Sequence, residues 1–442
     1  MAEAFSDQRR IESETIRKVG IRLVPFLVVC YFIAYVDRVN VGFAALTMNK
    51  DLGLSATAFG IGAALFFVAY VIFEVPSNLA LERFGARRWI ARIMISWGLV
   101  GLGSAFVTGA VTFSIARFLL GAAEAGFFPG VILYLTYWFP KAYRARIVAM
   151  FMVAIPVSSF LGSPLSAALL TLDGVGGLRG WQWLLICESI PALLLGLATL
   201  VVLPSRPAEA QFLTSEQKAW LEGCLEAERR AASAGHSGHG SVWSVLTNKQ
   251  VWLLAVIYSG SSATSNALSL WMPQILKSFG LSNLETGLLN MIPFGIASVF
   301  MIFWGLRADK SGERIWSTAL PLALTSLSLA LTLLTGSLAL TLVLLSLVLL
   351  GNYSIKGPFF ALVTETLSPA QAAAGIAAIN TLAHLGTGAI TSLIGVLREQ
   401  SGSFPVALLP LCVLTAVGCA LVFWIGRDRM RASVAVAPAP AR

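Results

Sequence analysis

Five charged residues lie well inside long apolar stretches of the chain, away from the ends of the predicted helices. They are Asp37 and Arg38 in CYFIAYVDRVNVGFAA, Arg117 and Glu124 in RFLLGAAEAGFFPG, and Lys356 in GNYSIKGPFF. A carboxyl group in a partly dehydrated cavity can bind and release a proton near neutral pH. A guanidinium group holds a carboxylate through two parallel hydrogen bonds. These residue types are able to bind a proton, a small anion or one another within the membrane.

The spacing within each pair limits what its members can contact. Arg117 and Glu124 are almost two helical turns apart, so they share a helix face but are too far apart for an ideal ion pair. Asp37 and Arg38 point about 100° apart around a helix axis, so they must serve different partners. We expect each of the four side chains to reach another helix or a ligand. The alternative is a charged network that only holds helices together.

Membrane helices must position these residues. The chain has 442 residues, of which 57% are hydrophobic and 12% charged, whereas soluble domains are about 25% charged. Apolar stretches of about 20 residues, long enough to span a bilayer core, recur twelve times. They lie at about 19–42, 57–78, 89–108, 111–138, 144–170, 182–203, 250–279, 284–308, 314–335, 338–366, 371–396 and 403–426. The sequence therefore predicts an all-α integral membrane protein with twelve transmembrane helices.

Lysine and arginine are distributed unequally between the two ends of the predicted helices. With both termini in the cytoplasm, the cytoplasmic segments hold 24 of the 31 basic residues, and 3 lie at membrane depth. The opposite side holds 4, namely Lys50, Arg179, Lys277 and Arg398. This excess is the positive-inside signature. It predicts a multi-pass protein of the cell inner (cytoplasmic) membrane, and it accounts for the net charge of +9 without nucleic acid as a partner.

Segment 204–249 interrupts the apolar pattern and divides the chain into two halves. Thr214 and Gln217 have the spacing of a capping box ahead of a charged helix, and a Gly/Ser-rich linker follows. The predicted organisation is a cytoplasmic N-terminal segment 1–18, a six-helix bundle 19–203, a cytoplasmic central loop 204–249, a second six-helix bundle 250–426 and a cytoplasmic tail 427–442.

The two halves carry related loops. NLALERFGARR follows the second predicted helix at 78–88, and GLRADKSGERI follows the eighth at 305–315, an offset of 227 residues. The alignment pairs Glu82 with Asp309, Arg83 with Lys310, Gly85 with Gly312 and Arg87 with Arg314. The shared order indicates a duplicated unit, which is a common architecture among transporters.

Both loops resemble the signature loop of the major facilitator superfamily, which reads Gly, three residues, then acid-basic-x-Gly-x-basic-basic. The first copy departs from it with Asn78 for Gly and Glu82 for Asp. Other stretches resemble the anion:cation symporter branch, which includes tartrate, hexuronate and phthalate permeases. They are YFIAYVDRVNVGFAA, EVPSNLALERFGARRWIARI, RFLLGAAEAGFFPG, GSPLSAALL, GWQWLLICESIPALLLG, LPSRPAEAQFLTSEQKAWL and GPFFAL. The resemblance spans about residues 20–426 and implies two six-helix bundles, with both signature loops as conformational switches.

The resemblance also implies roles for the intramembrane charges. Acids matching Asp37 and Glu124 are implicated in proton coupling, and arginines matching Arg38 and Arg117 in anion binding and charge balance. A nearby arginine stabilises the charged form of a carboxylate. An anion that engages the arginine would make it easier for the acid to take up a proton. Proton and anion would then bind with positive coupling.

Five further residues are predicted substrate contacts, each with an alternative role. Lys356 either contacts the anion or extends to a helix end. Asn380 and His384 stand one turn apart in INTLAHLGTGA, where the histidine could instead bond to a neighbouring helix. Tyr35 and Tyr70 either line the cavity or pack between helices.

We therefore predict a secondary active transporter that imports a small organic anion by proton symport through alternating access. The anion would be a hydroxy acid, a sugar acid or an aromatic carboxylate. The expected partners are this anion, a proton and membrane lipid, and the chain is expected to be a monomer. The alternatives are an exporter or antiporter of drugs or sugars on the same fold, and a membrane sensor that does not transport.

An integral-membrane enzyme is not favoured by the sequence. The sequence shows no nucleophile with a neighbouring general base, and it has no Walker-type glycine-rich loop. His236 and His239 in the linker have no further metal-ligand candidates beside them. We expect no cofactor, no metal and no catalytic residue.

Overall fold

The computed structural model of the protein describes residues 2–234, 247–367 and 369–436. Within these ranges the chain forms α-helices joined by turns and short 3₁₀ segments, without β-strands. Most of the predicted Gly/Ser-rich linker, with His236 and His239, lies outside the described residues, as does the end of the predicted tail.

The chain divides into two compact units. Unit 1 comprises Met1–Gly53 and Leu65–His239. Its helices are α1 (Ala2–Asp51), α2 (Ala56–Phe84), α3 (Ala86–Ser104), α4 (Ala110–Glu124), α5 (Phe127–Thr136), α6 (Lys141–Leu169), α7 (Gly180–Val202) and α8 (Ser215–Ala234). Within this unit α1 packs on α6 and α7, and α3 packs on α4 and α7.

Unit 2 comprises Leu54–Ala64, which includes the first turns of α2, and Gly240–Arg442. Its remaining helices are α9 (Lys249–Lys277), α10 (Asn283–Ser311), α11 (Ile315–Leu331), α12 (Leu338–Ser354), α13 (Lys356–Thr366), α14 (Pro369–Ser401), α15 (Phe404–Ala407) and α16 (Leu409–Val436). Here α9 packs on α14, α10 on α12, and α11 on both α12 and α16.

These helices form two bundles of six membrane spans, which confirms the predicted all-α fold. Ten spans are long and apolar enough to cross a bilayer by length and composition alone. The other two are α3, which has three arginines among its first seven residues, and α9, which carries a run of serine and threonine residues. α8 lies outside the spans because it is short of apolar residues and rich in charge.

Two predicted spans are broken in the structure. The span predicted at 111–138 becomes α4 and α5, separated by Ala125 and by Gly126, whose φ is 84°. Glycine adopts this left-handed conformation without the steric cost that other residues bear. The span predicted at 338–366 becomes α12 and α13, separated at Ile355. Pro358 contributes to that break because it has no N–H to donate to the carbonyl of Ser354.

The first helix is much longer than the predicted span 19–42. α1 begins at Ala2, so the predicted segment 1–18 continues the helix. Polar contacts fix these early turns, because Lys18 Nζ donates to Gln217 Oε1 at 3.1 Å and Tyr143 Oη donates to Glu12 Oε1 at 2.8 Å. Hydropathy alone could not show this extension, since these turns lie against α8 and α6 through polar side chains.

Close backbone contact between α2 and α4 places the charged residues of α4. A Cβ atom on Gly121 would overlap the backbone carbonyl of Phe66. Small residues allow such approaches between membrane helices. Gly121 stands between Arg117 and Glu124 in sequence, so its contact fixes α4 against α2 within one turn of each charged residue.

Candidate functional site

A buried ion pair joins α1 to α4. Arg38 Nε donates to Glu124 Oε1 at 2.8 Å, and Arg38 Nη2 contacts the same oxygen. The side chain of Glu124 is 2% exposed and that of Arg38 is 16% exposed. Glu124 therefore reaches another helix rather than Arg117, as the helical spacing predicts. Arg38 therefore keeps a small accessible surface, whereas Glu124 keeps almost none.

Aromatic rings surround the Arg38 guanidinium. Its central carbon lies 4.8 Å from the ring centre of Tyr35 and 5.6 Å from that of Tyr70. The ring of Phe66 lies 5.8 Å away. These distances suit cation–π attraction. The structure thus brings the predicted contacts Tyr35 and Tyr70 together with Arg38.

Asp37 points away from its neighbour, as expected from the rotation of a helix. Its Oδ1 accepts a hydrogen bond from Asn40 Nδ2 at 2.8 Å, and its Oδ2 accepts one from Trp97 Nε1 on α3. The residue is 5% exposed. Asp37 and Arg38 therefore belong to separate networks, one directed at α3 and one at α4.

Arg117 sits between these two networks. It is 6% exposed, its guanidinium lies 4.8 Å from the ring centre of Phe66, and its Nε has no hydrogen-bond partner among the described residues. A cavity of about 20 Å³ is lined in part by Asp37, Asn40, Arg117 and Ser189. Polar cavities of this size hold about one water. Ser189 Oγ also lacks a hydrogen-bond partner in the described chain.

Glu188 on α7 is a buried acid that sequence reasoning missed. It is 4% exposed, and its Oε1 accepts from Ser166 Oγ at 2.6 Å. Its Oε2 has no hydrogen-bond partner within the described ranges. The sequence feature that could have indicated this burial is the single carboxylate in the apolar stretch GWQWLLICESIPALLLG. The structure buries this residue next to Ser189, which lines the same cavity as Asp37.

Lys356 is a buried cation of unit 2. It begins α13 directly after the break at Ile355 and is 7% exposed. Its Nζ lies 4.4 Å from the ring centre of Tyr353. Nearby in sequence, Asn352 Nδ2 donates to Ser265 Oγ on α9 at 2.6 Å. Lys356 is therefore buried at the break between α12 and α13.

Asn380 and His384 are half-buried and stand one turn apart on α14. One turn further on, Thr387 Oγ1 donates to Ser262 Oγ on α9 at 2.9 Å. This face of α14 thus carries polar groups through the membrane span. Both residues belong to unit 2, as does Lys356, whereas Asp37, Arg38, Arg117 and Glu124 belong to unit 1.

The two signature loops share one backbone feature and differ in their ion pairs. The aligned residues Gly85 and Gly312 have φ values of 87° and 66°. In the second loop Arg314 Nη1 lies 3.2 Å from Asp309 Oδ1, and Arg314 Nε lies 3.2 Å from Glu365 Oε1. In the first loop, Arg87 Nε has no hydrogen-bond partner in the described part of the chain. Glu82, Arg83 and Lys310 are exposed on the loop surfaces.

Comparison with known proteins identifies the family. A family model described as Major Facilitator Superfamily matches residues 27–391. The chain belongs to this superfamily. It is 46% identical over 422 residues to a candidate tartrate transporter of Agrobacterium vitis, covering 96% of this chain and 93% of the relative. It is 37% identical to a quinolone resistance transporter of Acinetobacter baumannii, covering 93% of this chain and 95% of the relative.

A solved structure shows the same fold. The crystal structure of a D-xylose–proton symporter matches with a TM-score of 0.73 at 16% identity, covering 91% of this chain and 96% of that chain. Membership of the superfamily confirms that the protein is a multi-pass membrane transporter and not an enzyme. The resemblance to the tartrate-type branch is confirmed by the Agrobacterium relative.

Proposed function

We propose that the chain imports a small organic anion together with a proton. The Agrobacterium relative, described as a candidate tartrate transporter, supports a hydroxy acid or related carboxylate as the substrate. Buried arginines on α1 and α4 supply the positive charge that such an anion needs. The proposed transporter works as a monomer by alternating access in the inner membrane, with both termini in the cytoplasm.

The observation that carries the proposal is the ion pair between Arg38 and Glu124. When Glu124 takes up a proton the pair loses its charge attraction, and Arg38 becomes available to a substrate carboxylate. Conversely, an anion on Arg38 deprives a buried Glu124 of its counter-ion, which favours protonation. Each ligand therefore promotes binding of the other, as a symporter requires.

The remaining predicted residues take supporting roles in this proposal. Asp37 is a second proton-coupling acid, and Arg117 balances the charge of both acids and of the substrate. Tyr35 and Tyr70 hold the Arg38 guanidinium in place. In unit 2, further substrate contacts come from Lys356, Asn380 and His384. The signature loops, through Glu82, Arg83, Gly85, Arg87, Asp309, Lys310, Gly312 and Arg314, control the change of conformation.

Glu124→Gln tests the coupling. The amide keeps the shape of the side chain but cannot cycle a proton, so we expect proteoliposomes to lose pH-driven accumulation of tartrate while retaining exchange of internal for external tartrate. Glu226→Gln on exposed α8 is the matched control and should transport normally. Wild-type accumulation by Glu124→Gln would remove this acid from the mechanism, and the same substitution at Asp37 decides whether a second proton site exists.

Export of a drug is the second candidate function. It is favoured by the 37% identity to a quinolone resistance transporter. The two functions differ in the direction of transport and in the charge of the substrate. Cells that overproduce the chain should accumulate external tartrate under the leading proposal. Lower accumulation of a fluoroquinolone, without tartrate uptake, would establish export instead.

A further inference from the structure

Unit 2 contains a second cavity, remote in the fold from Lys356, Asn380 and His384. It has a volume of about 300 Å³ and lies where α9 and α14 end and α12 begins. Apolar walls come from side chains such as Phe279, Leu345 and Leu408. Polar groups within it include Thr341, Arg398 and Ser403, and its lining contains no carboxylate. A cavity of this size accommodates a small organic ligand.

Arg398 supplies an uncompensated positive charge to this cavity. It lies in the last turn of α14, and its guanidinium lies 4.1 Å from the ring centre of Phe404. No carboxylate within the described ranges forms an ion pair with it. The adjacent Glu399 is engaged elsewhere, accepting from the backbone N–H of Thr57 at 2.8 Å. Stacking occupies a face of the guanidinium and leaves its N–H edges able to bind an anion.

Two further donors line the same cavity. Thr341 is 6% exposed, and its hydroxyl makes no hydrogen bond to the described residues. The cavity also adjoins the N-terminus of α12 through Gly336, and the side chain of Ser337 does not cap that helix. The first N–H groups of a helix attract anions through their unpaired hydrogens and the helix dipole. A guanidinium, a buried hydroxyl and a helix N-terminus thus meet at one apolar-walled cavity.

We propose that this cavity is a second anion-binding site, separate from the transport site, for a carboxylate or phosphate group attached to an apolar body. The positively charged Arg398 binds the anionic group, Thr341 donates to it, and the apolar walls hold the rest of the ligand. The lysine and arginine count assigns Arg398 to the outer side of the membrane. The ligand is therefore either an organic acid from the outside solution or the phosphate of an outer-leaflet lipid.

Binding of 4-fluorobenzoate, followed by fluorine NMR on purified full-length protein, tests the site. Every sample carries Arg38→Gln, so the result does not depend on the proposed transport site. We expect saturable binding that Arg398→Gln weakens about tenfold or more, because a hydrogen bond to a charged group is lost. Thr341→Val should weaken it about threefold. Lys277→Gln removes a cation that does not line the cavity, and it should leave binding unchanged.

The source of the anion is distinguished by native mass spectrometry after reconstitution with phosphatidylglycerol. One retained lipid in the parent protein that is lost in Arg398→Gln supports the lipid phosphate as ligand. Binding of 4-fluorobenzoate without a retained lipid supports the free acid. The proposal is overturned if Arg398→Gln changes neither measurement, or if Lys277→Gln weakens binding as much as Arg398→Gln does.

Discussion

Arg38 tests whether the buried ion pair serves binding or only structure. Arg38→Lys keeps the charge and can still meet Glu124, but it loses the planar group that holds a carboxylate through two bonds. Truncating a buried charged contact costs about 2–5 kcal/mol, which corresponds to about 30- to several-thousand-fold in affinity. We expect a loss of that size in tartrate affinity, measured by calorimetry, with protein that remains folded.

The measurement needs a stability readout and a matched control. Arg179 is exposed and pairs with Asp51 at 3.7 Å, so Arg179→Lys should change neither affinity nor melting temperature. If Arg38 only holds α1 against α4, Arg38→Lys would lower the melting temperature while tartrate affinity stays near normal. That result would contradict a binding role.

Single residues were predicted from the sequence more easily than their partners. Charges stand out in an apolar stretch because burying them is costly, so Asp37, Arg38, Arg117, Glu124 and Lys356 were identified directly. The pairing of Arg38 with Glu124, 86 residues away, depends on how α1 and α4 rotate and pack. Hydropathy carries no information on that rotation. The burial of Glu188 was missed for the same reason.

At the scale of helices, Gly121 sets the distance between α2 and α4. Gly121→Ala places a Cβ against the backbone of Phe66, which cannot move as a flexible side chain could. Overpacking of this kind costs about 1–3 kcal/mol. We expect a lower melting temperature in detergent and weaker tartrate binding, since Arg117 and Glu124 move with α4.

Gly103→Ala is the matched control for that substitution. Gly103 lies near the end of α3, and a Cβ there meets no atom within 4 Å. Its melting temperature should stay at or slightly above the wild-type value, because alanine favours helix over glycine. An equal loss of stability in the two variants would show that the α2–α4 contact is not special.

The attachment of α8 to unit 1 is a second feature at this scale. Glu228 accepts from Arg144 Nη2 at 2.8 Å and from the backbone N–H of Lys141, the first residue of α6, at 2.7 Å. Thr214 and Gln217 form the reciprocal bonds of the predicted capping box, each at 3.3 Å. α8 therefore has a defined start and a defined anchor near its end.

Glu228→Gln should weaken the attachment of α8 to α6. Both partners of the ion pair are about one-third exposed, so we expect a modest loss of about 0.5–1 kcal/mol and faster cleavage in the 204–249 segment by trypsin. Glu226→Gln, which breaks only exposed pairs with Arg229 and Arg230, should leave the cleavage rate unchanged. Equal cleavage rates in both variants would show that Glu228 does not fasten the helix.

Helix boundaries were less predictable than helix number. Twelve apolar stretches gave the correct number of spans, because length and hydropathy are properties of the sequence alone. The break between α4 and α5 falls at Ala125 and Gly126, and α5 continues through Pro129, just as α6 runs through Pro156 and Pro164. Whether glycine or proline interrupts a membrane helix depends on which neighbouring groups satisfy its backbone.

At the scale of the whole molecule, the charge count predicts the orientation. Reporters fused after Arg88 and within segment 204–249 should both report the cytoplasm, because most lysine and arginine residues fall on that side. A reporter inserted after Arg179 should report the opposite side. A periplasmic signal from segment 204–249 would reverse the predicted topology and the assignment of the two halves.

Because α8 is attached to unit 1 at two points, it is a suitable binding site for an antibody fragment. Gln217 bonds to Lys18 near its start, and Glu228 bonds to Arg144 near its end. An antibody fragment raised against the exposed side of α8 would therefore be held rigidly by unit 1. A detergent micelle hides most features of a 47.1 kDa membrane protein, and such a fragment would give electron cryo-microscopy a fixed landmark for aligning particles. It would do so without covering any residue proposed to bind the anion or the proton.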